Sequence, residues 1–260
     1  FTYGVLLHGG ADRLRAGEDA FPAAVSPRGA MEVLTAGLEV AHAVTVPEGL
    51  TSVEIVALLA ADDRLTGEIE EVPPDGTLLP ETYHIRRGDD RAEVVARMRE
   101  AMAETVAELW AGRAEGLPFD TPEEALVLAS IIEEETAVAG ERPLVAGVFV
   151  NRLDRGMRLQ SDPTVIYALT DGQGPLGRPL TRRDLAETES PYNTYRRGGL
   201  PPGPISNPGR AAIAAAVDPA ETDFLYFVAD GSGGHAFART LAEHQRNVRA
   251  WRRVRDGAEP

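Results

Sequence analysis

The chain has 260 residues, 43% of them hydrophobic, which is enough for a sizeable core and exceeds the usual length of one small domain. A net charge of -15, from 41 acidic against 26 basic residues, opposes binding to the phosphates of nucleic acid. Cys and Lys are both absent, which excludes thiolate chemistry, disulfides, Schiff bases and a phosphate-loop lysine, and leaves carboxylates, hydroxyls and amides as the reactive groups.

The five histidines (His8, His42, His84, His235, His244) form no i, i+4 pair, so no metal site is expected, and no cofactor motif is present. No run approaches the ~20 apolar residues that a membrane helix needs. Opening on Phe1 rather than Met is expected of a chain whose leader or anchor has been removed.

In chain order, a weak repeat comes first. FPAAVSPRGAMEVLTAG from Phe21 aligns with VPEGLTSVEIVALLAAD from Val46 at an offset of 25 residues. Ser26 and Thr51 fall in register as helix N-caps, with Pro27 at a first helical position. Strand-like runs, Leu14 to Phe21 and Leu38 to Val46, precede the two short helices, giving two β–α units. The Pro- and acid-rich loop Glu70 to Gly76 marks a boundary, so domains of 1–70 and 71–260 are expected.

LLPETYHI then reads as extended, and Asp90 to Ala111 as a long helix with apolar residues at helical spacing. Thr121-Pro122-Glu123-Glu124 is a capping box that opens a helix ending in Glu133, Glu134 and Glu135. A further helix covers Glu141 to Arg155 and is stopped by Gly156; Asp162 is expected to cap a short one starting at Pro163. From Asp171 to Pro208 the chain is rich in Gly, Pro, Asn and Tyr, and a loop of that length tends to be functional. Asn207-Pro208 is expected to cap AAIAAAV; FLYFVAD and HAFA form a hairpin, and Thr240 with Glu243 opens an Arg-rich last helix. The fold class is α+β, helix-rich, with a C-terminal β-hairpin.

On a helical wheel with Glu135 at zero, Leu128 lies at roughly +20°, Ile131 at roughly -40° and Ile132 at roughly +60°. Glu133 and Glu134 fall off this apolar stripe, at roughly +160° and roughly -100°, and are expected to be solvated. If the helix frays before Glu135, all three are solvated. If it does not, desolvation raises the pKa of Glu135 into the range of a general acid, the signature of glycosidic-bond cleavage. A hydrolase also needs a second carboxylate about 5 to 9.5 Å away, and Asp162 is the nearby candidate. Asn151, Gln160, Ser161, Tyr192, Asn193 and Tyr195 have the makeup of a sugar groove, amides and hydroxyls for sugar hydroxyls and Tyr for the ring face. Asp162 and Thr164 complete the set of candidate substrate contacts. His235 could join the groove.

At these residues the chain resembles the endolytic murein transglycosylases (YceG-like), through LASIIEEETAVAGERPLVAGVFVNRL, GMRLQSDPTVIYAL, SPYNTYRRGGLPPGPISNPG and LYFVADGSGGHAF. The resemblance runs from about Leu78 to the C-terminus; residues 1–70 resemble more loosely an incomplete LysM-like module. It implies a lyase, a lytic transglycosylase that cuts the MurNAc-β-1,4-GlcNAc bond of peptidoglycan glycan strands to leave 1,6-anhydro-MurNAc ends, trimming or terminating nascent strands. Glu135, directly before Thr in E-x-E-T, is the implied acid/base, with no cofactor. Position 134, basic in some relatives, is Glu here. The resemblance further implies peptidoglycan synthases as partners, and a single-pass anchor in the inner membrane, absent from this chain, with the enzyme facing the periplasm. The alternatives are a peptidoglycan glycoside hydrolase using Glu135 and Asp162, and a non-catalytic peptidoglycan-binding protein.

Overall fold

The structure, a computed structural model, describes residues 18–37 and 40–257. Its helices are α1 (Pro27–Ala36), α2 (Ser52–Ala61), α3 (Arg91–Ala111), α4 (Pro122–Glu135), α5 (Arg142–Asp154, after a 3₁₀ turn Ala139–Glu141), α6 (Asp162–Thr170), α7 (Arg182–Glu187), α8 (Arg210–Val217) and α9 (Leu241–Arg255). Among the described residues the strands form two antiparallel pairs, β1 (His42–Thr45) with β2 (Thr82–Ile85) and β3 (Tyr226–Ala229) with β4 (His235–Ala238). The fold is α+β with a C-terminal hairpin.

Local chemistry explains most element starts. Thr51, Thr121, Thr181 and Thr240 each accept a hydrogen bond from the backbone amide of the third residue of the following helix, whose carboxylate in turn accepts from the cap residue's backbone amide. Ser26 caps α1 through the Gly29 amide. Gly156 ends α5 region at φ 64°, a conformation that a side chain would strain. Of the first expected strand, residues 14–17 lie outside the described residues; the second appears as β1.

Two apolar clusters form. The first joins Val44 and Val46 to Ile55 and Leu59 of α2, Leu78, Ile85 of β2, and Val94, Val95 and Met98 of α3. Residues on both sides of position 70 therefore build it. The second cluster gathers Met102 of α3, Leu128, Ile131 and Ile132 of α4, Phe149 of α5, and Ile213 with its flanking alanines of α8. Helix α3 spans both clusters, and α4 is the centre of the second. Ala125 and every residue from Val127 to Ile132 are buried, so α4 is covered nearly all round by α3, α5, α6 and α8 rather than along one stripe. Ser130, fully buried, satisfies itself by donating to the Val127 carbonyl and accepting from the Ile205 amide.

Asn207 does not cap α8 as expected from the sequence. The cap position is Gly209, without a side-chain bond. Asn207, wholly buried, instead accepts from the Leu78 amide (3.0 Å) and donates to the Leu50 carbonyl (3.0 Å) and Ser52 Oγ (3.1 Å). Its amide thus ties the first cluster to the segment entering α8, at a sequence separation that local pattern cannot see.

Asn207→Ala removes three bonds and leaves buried polar groups unpaired. It is expected to cost about 2–4 kcal/mol, read as a lower urea midpoint, with faster hydrogen exchange at the Leu78 amide.

Candidate active site

Helix α4 keeps its shape to its last residue: Glu135 is helical, and the Thr136 amide still bonds to the Ile132 carbonyl at 3.3 Å. Its three terminal acids meet three environments. Glu133 is not solvated. Its side chain is only 5% exposed, pairs with Arg142 at 2.9 Å, and accepts from the Gly209 amide at 2.9 Å, at the start of α8. Glu134 is on the open side, yet its carboxyl is pushed up to about 7, first by burial of the carboxyl and then by the charges of Glu133, Glu54 and Glu135, against a bond from Ser206. Gly49 lies against it: a Cβ there would stand 2.9 Å from Glu134 Oε1, and its φ of 83° also requires glycine.

Glu135 stands where two cavities meet. The larger, of about 970 Å³, includes Glu54, Glu134, Arg142, Tyr167 and Arg178 in its wall. The smaller, of about 480 Å³, includes Gln160, Asp162, Tyr195, Tyr226, His235 and Trp251. Among the described residues, Glu135 is the one common to both. Its carboxyl is pushed up to about 7, chiefly by burial and further by the Asp162 charge; the Ser161 hydroxyl, His235 whenever its ring is protonated, and Arg152 act in the opposite direction. A carboxyl so placed is part protonated near neutral pH and can both give and take a proton.

The other expected contacts divide. Gln160, at φ 52°, and Asp162 and Tyr195 line the smaller cavity with Glu135. Asp162 is not the cap of α6: Ser161 holds that position, without a side-chain bond, and the Asp162 carboxylate accepts from the Tyr195 hydroxyl at 2.5 Å. Ser161 is buried and faces Glu135. Both hydrogens of the Asn151 amide go to the Thr222 and Phe224 carbonyls, which fixes the approach to β3. Asn193 staples its loop through the Leu185 and Thr188 carbonyls. Thr164 bonds to the Ser161 carbonyl and Thr194 hydroxyl. Tyr192 packs on Tyr167 at 4.8 Å and lines a separate cavity of about 280 Å³ with Asp75.

Several residues of the site carry no sequence signal of their own. Arg152, buried, donates to the Leu225 carbonyl at 2.7 Å and lies 5.3 Å over the Tyr226 ring, a fixed positive charge behind Glu135. His244 stacks on Tyr226, and burial, with the nearby Arg152 charge, lowers its pKa and favours the neutral ring. Among the described residues, three buried side-chain atoms lack a hydrogen-bond partner: Arg142 Nε, Ser161 Oγ and His244 Nδ1. Arg142 lines the larger cavity, His244 the smaller, and Ser161 faces the acid between them. Such atoms are rare in a folded chain, and their collection here suits a polar ligand. Among the described residues no group of three or more His, Asp or Glu is placed to hold a metal, and no helix is long and apolar enough to cross a membrane.

The model of the YceG-like family matches residues 1–250. An endolytic murein transglycosylase of Bacillus subtilis is 37% identical over 174 residues, covering 67% of this chain and 47% of its own length. One of Streptococcus pneumoniae is 37% identical over 180 residues, covering 67% and 31%. The chain thus spans less than half the length of these relatives. The crystal structure of a yceG-like protein of Listeria monocytogenes aligns with a TM-score of 0.65 at 30% identity, over 94% of this chain and 88% of that one.

The acid gives a pH signature. Glu135 has a folded value above its ordinary 4.5, so its relative stabilisation is present below about 4.5 and is lost as pH rises through about 7. Glu135→Gln is therefore expected to be more stable than the parent by about 1–3 kcal/mol at pH 8 and equal to it at pH 4, measured by urea unfolding.

Proposed function

Because the chain belongs to the YceG-like family, we propose that it is an endolytic peptidoglycan lytic transglycosylase with Glu135 as its single acid/base. The observation that supports this most is the seat of Glu135 between two cavities. An enzyme that cuts within a strand needs room for sugars on both sides of the reacting bond, with the proton donor at the seam.

In the proposed reaction, protonated Glu135 gives its proton to the oxygen bridging MurNAc C1 and GlcNAc C4, and the C1–O bond breaks. The MurNAc C6 hydroxyl closes on C1, and the Glu135 carboxylate takes its proton. A 1,6-anhydro end forms, no water enters, and the acid is restored. A carboxyl near 7 suits both halves of this cycle. Arg152 and the Ser161 hydroxyl favour the charged form that appears midway.

One observation favours a second reading. Asp162 shares the smaller cavity with Glu135, so a hydrolase could use it as nucleophile or base. Its bond from Tyr195 makes it a weaker nucleophile and supports the lytic reading instead. We extend the proposal to the N-terminal part as a LysM-like module that holds glycan, and to an enzyme held by an upstream membrane helix at the periplasmic face, alongside peptidoglycan synthases.

The test is digestion of purified glycan strands with mass analysis of the products. Glu135→Gln is expected to lower the rate by roughly 10³-fold or more, and the parent's products to be one water lighter than reducing-end fragments. Asp162→Asn is expected to keep the anhydro product. Cutting by Glu135→Gln at the parental rate would falsify the assignment, reducing-end products would select the hydrolase, and binding without any cutting would select the non-catalytic reading.

A further inference from the structure

His235, which lines the smaller cavity, is held by a further carboxylate, Glu141. Glu141 closes the 3₁₀ turn that follows α4, and one of its oxygens accepts from the His235 amide at 2.9 Å. The other lies 2.7 Å from His235 Nδ1 and 3.4 Å from the Thr136 hydroxyl, which donates to it. Burial raises the Glu141 pKa, but bonds from the His235 ring and backbone outweigh it, and the net direction is down. The carboxylate is thus ionised and can only accept, so Nδ1 must carry a hydrogen. In the neutral ring this leaves Nε2 as a bare acceptor.

The sequence around His235 is shaped for this contact. Gly234 precedes it, and a Cβ there would stand 2.7 Å from Glu141 Oε1, blocking the carboxylate's reach to the His235 amide. Edge-on contacts with Phe227 (5.4 Å) and Phe237 (6.5 Å) hold the ring plane. Among the described residues Nε2 has no hydrogen-bond partner and is not a buried unpaired atom, while His235 lines the cavity that holds Glu135. A ring held by Glu141, Phe227 and Phe237, on a residue that lines the cavity of Glu135, is more than a hairpin residue requires.

We propose that His235 Nε2 accepts a hydrogen bond from a hydroxyl of the sugar seated beside Glu135, and that Glu141 is the positioning residue that fixes the tautomer. The inference rests on the transglycosylase reading and deepens it by naming a substrate contact. Its role is to hold the ring of that sugar against the aromatic wall formed by Tyr195, Tyr226 and Trp251. Glu141 acts through His235 and touches no substrate.

The test uses the full chain with ¹⁵N-labelled histidine. In the Glu135→Gln protein, His235 is expected to show protonated Nδ1 and bare Nε2, and glycan fragments should shift the Nε2 signal. Glu141→Gln should lose the single tautomer without unfolding the chain. In the active enzyme, His235→Phe is expected to lower kcat/KM on glycan strands by about tenfold, and His235→Gln, which keeps an acceptor, by no more than about threefold. An Nε2 signal unmoved at saturating glycan, or a folded His235→Phe as efficient as the parent, overturns the proposal. A parent enzyme that cuts no strand sinks the transglycosylase reading, and the Nε2 shift then decides alone whether the sugar contact stands.

Discussion

A helix that ends in three consecutive carboxylates places negative charge at its negative pole, where the unpaired carbonyls already repel it. Helix α4 accepts this and is buried on nearly every side as well, so the neighbouring structure must resolve the charge. Arg142, at the head of α5, neutralises Glu133, and the Gly209 amide brings the positive pole of α8 to the same carboxylate. Glu134 turns to the open side of the larger cavity. Glu135 is left with burial, a neighbouring Asp162 and a distant Arg152, and its carboxyl rises accordingly. The two cavities, the order of α5 after α4, and the seat of α8 all serve this one arrangement.

The loop from 171 to 208 closes the groove on both sides. Its first part brings Gly174 to Arg178 into the wall of the larger cavity, and Tyr195 stands in the smaller one. Between them Asn193, with its amide on Leu185 and Thr188, makes the loop a braced piece instead of a slack one. The side-chain amides of Asn151 and Asn193 donate their hydrogens to backbone carbonyls of the scaffold beside the cavities.

How much of this was legible follows from the range of each interaction. The caps at Thr51, Thr121 and Thr240, the long helix α3 and the hairpin were readable, since each rests on residues within a few positions. The wheel placed Glu135 among buried neighbours, though for a helix with one apolar stripe, and α4 is covered all round. Glu133 was misread as solvated because its partners are nine and 76 residues away. Asn207 and Asp162 were misread as caps because their true partners, Leu78 and Tyr195, are 129 and 33 residues away. Asn151 and Asn193 could not be told from ligand contacts by type, since a sugar hydroxyl and a backbone carbonyl ask the same thing of an amide. His235 could not be weighed until Glu141 stood beside it.

The bonds of Asn207 have a consequence for how separable the parts of this chain are. The amide joins Leu78 to Leu50 and Ser52, while Asp75 accepts from both the Ser52 amide and the Tyr167 hydroxyl. Chain before and after the Pro-rich loop is thus knotted through polar groups, of which Asn207 and Ser52 are buried and Asp75 and Tyr167 half-buried. The wall of the larger cavity at Gly49 to Thr51 belongs to the same knot. A piece cut out at that loop would open this knot and bare the apolar surfaces of Ile55, Leu78 and Met98, which the two sides now cover for each other.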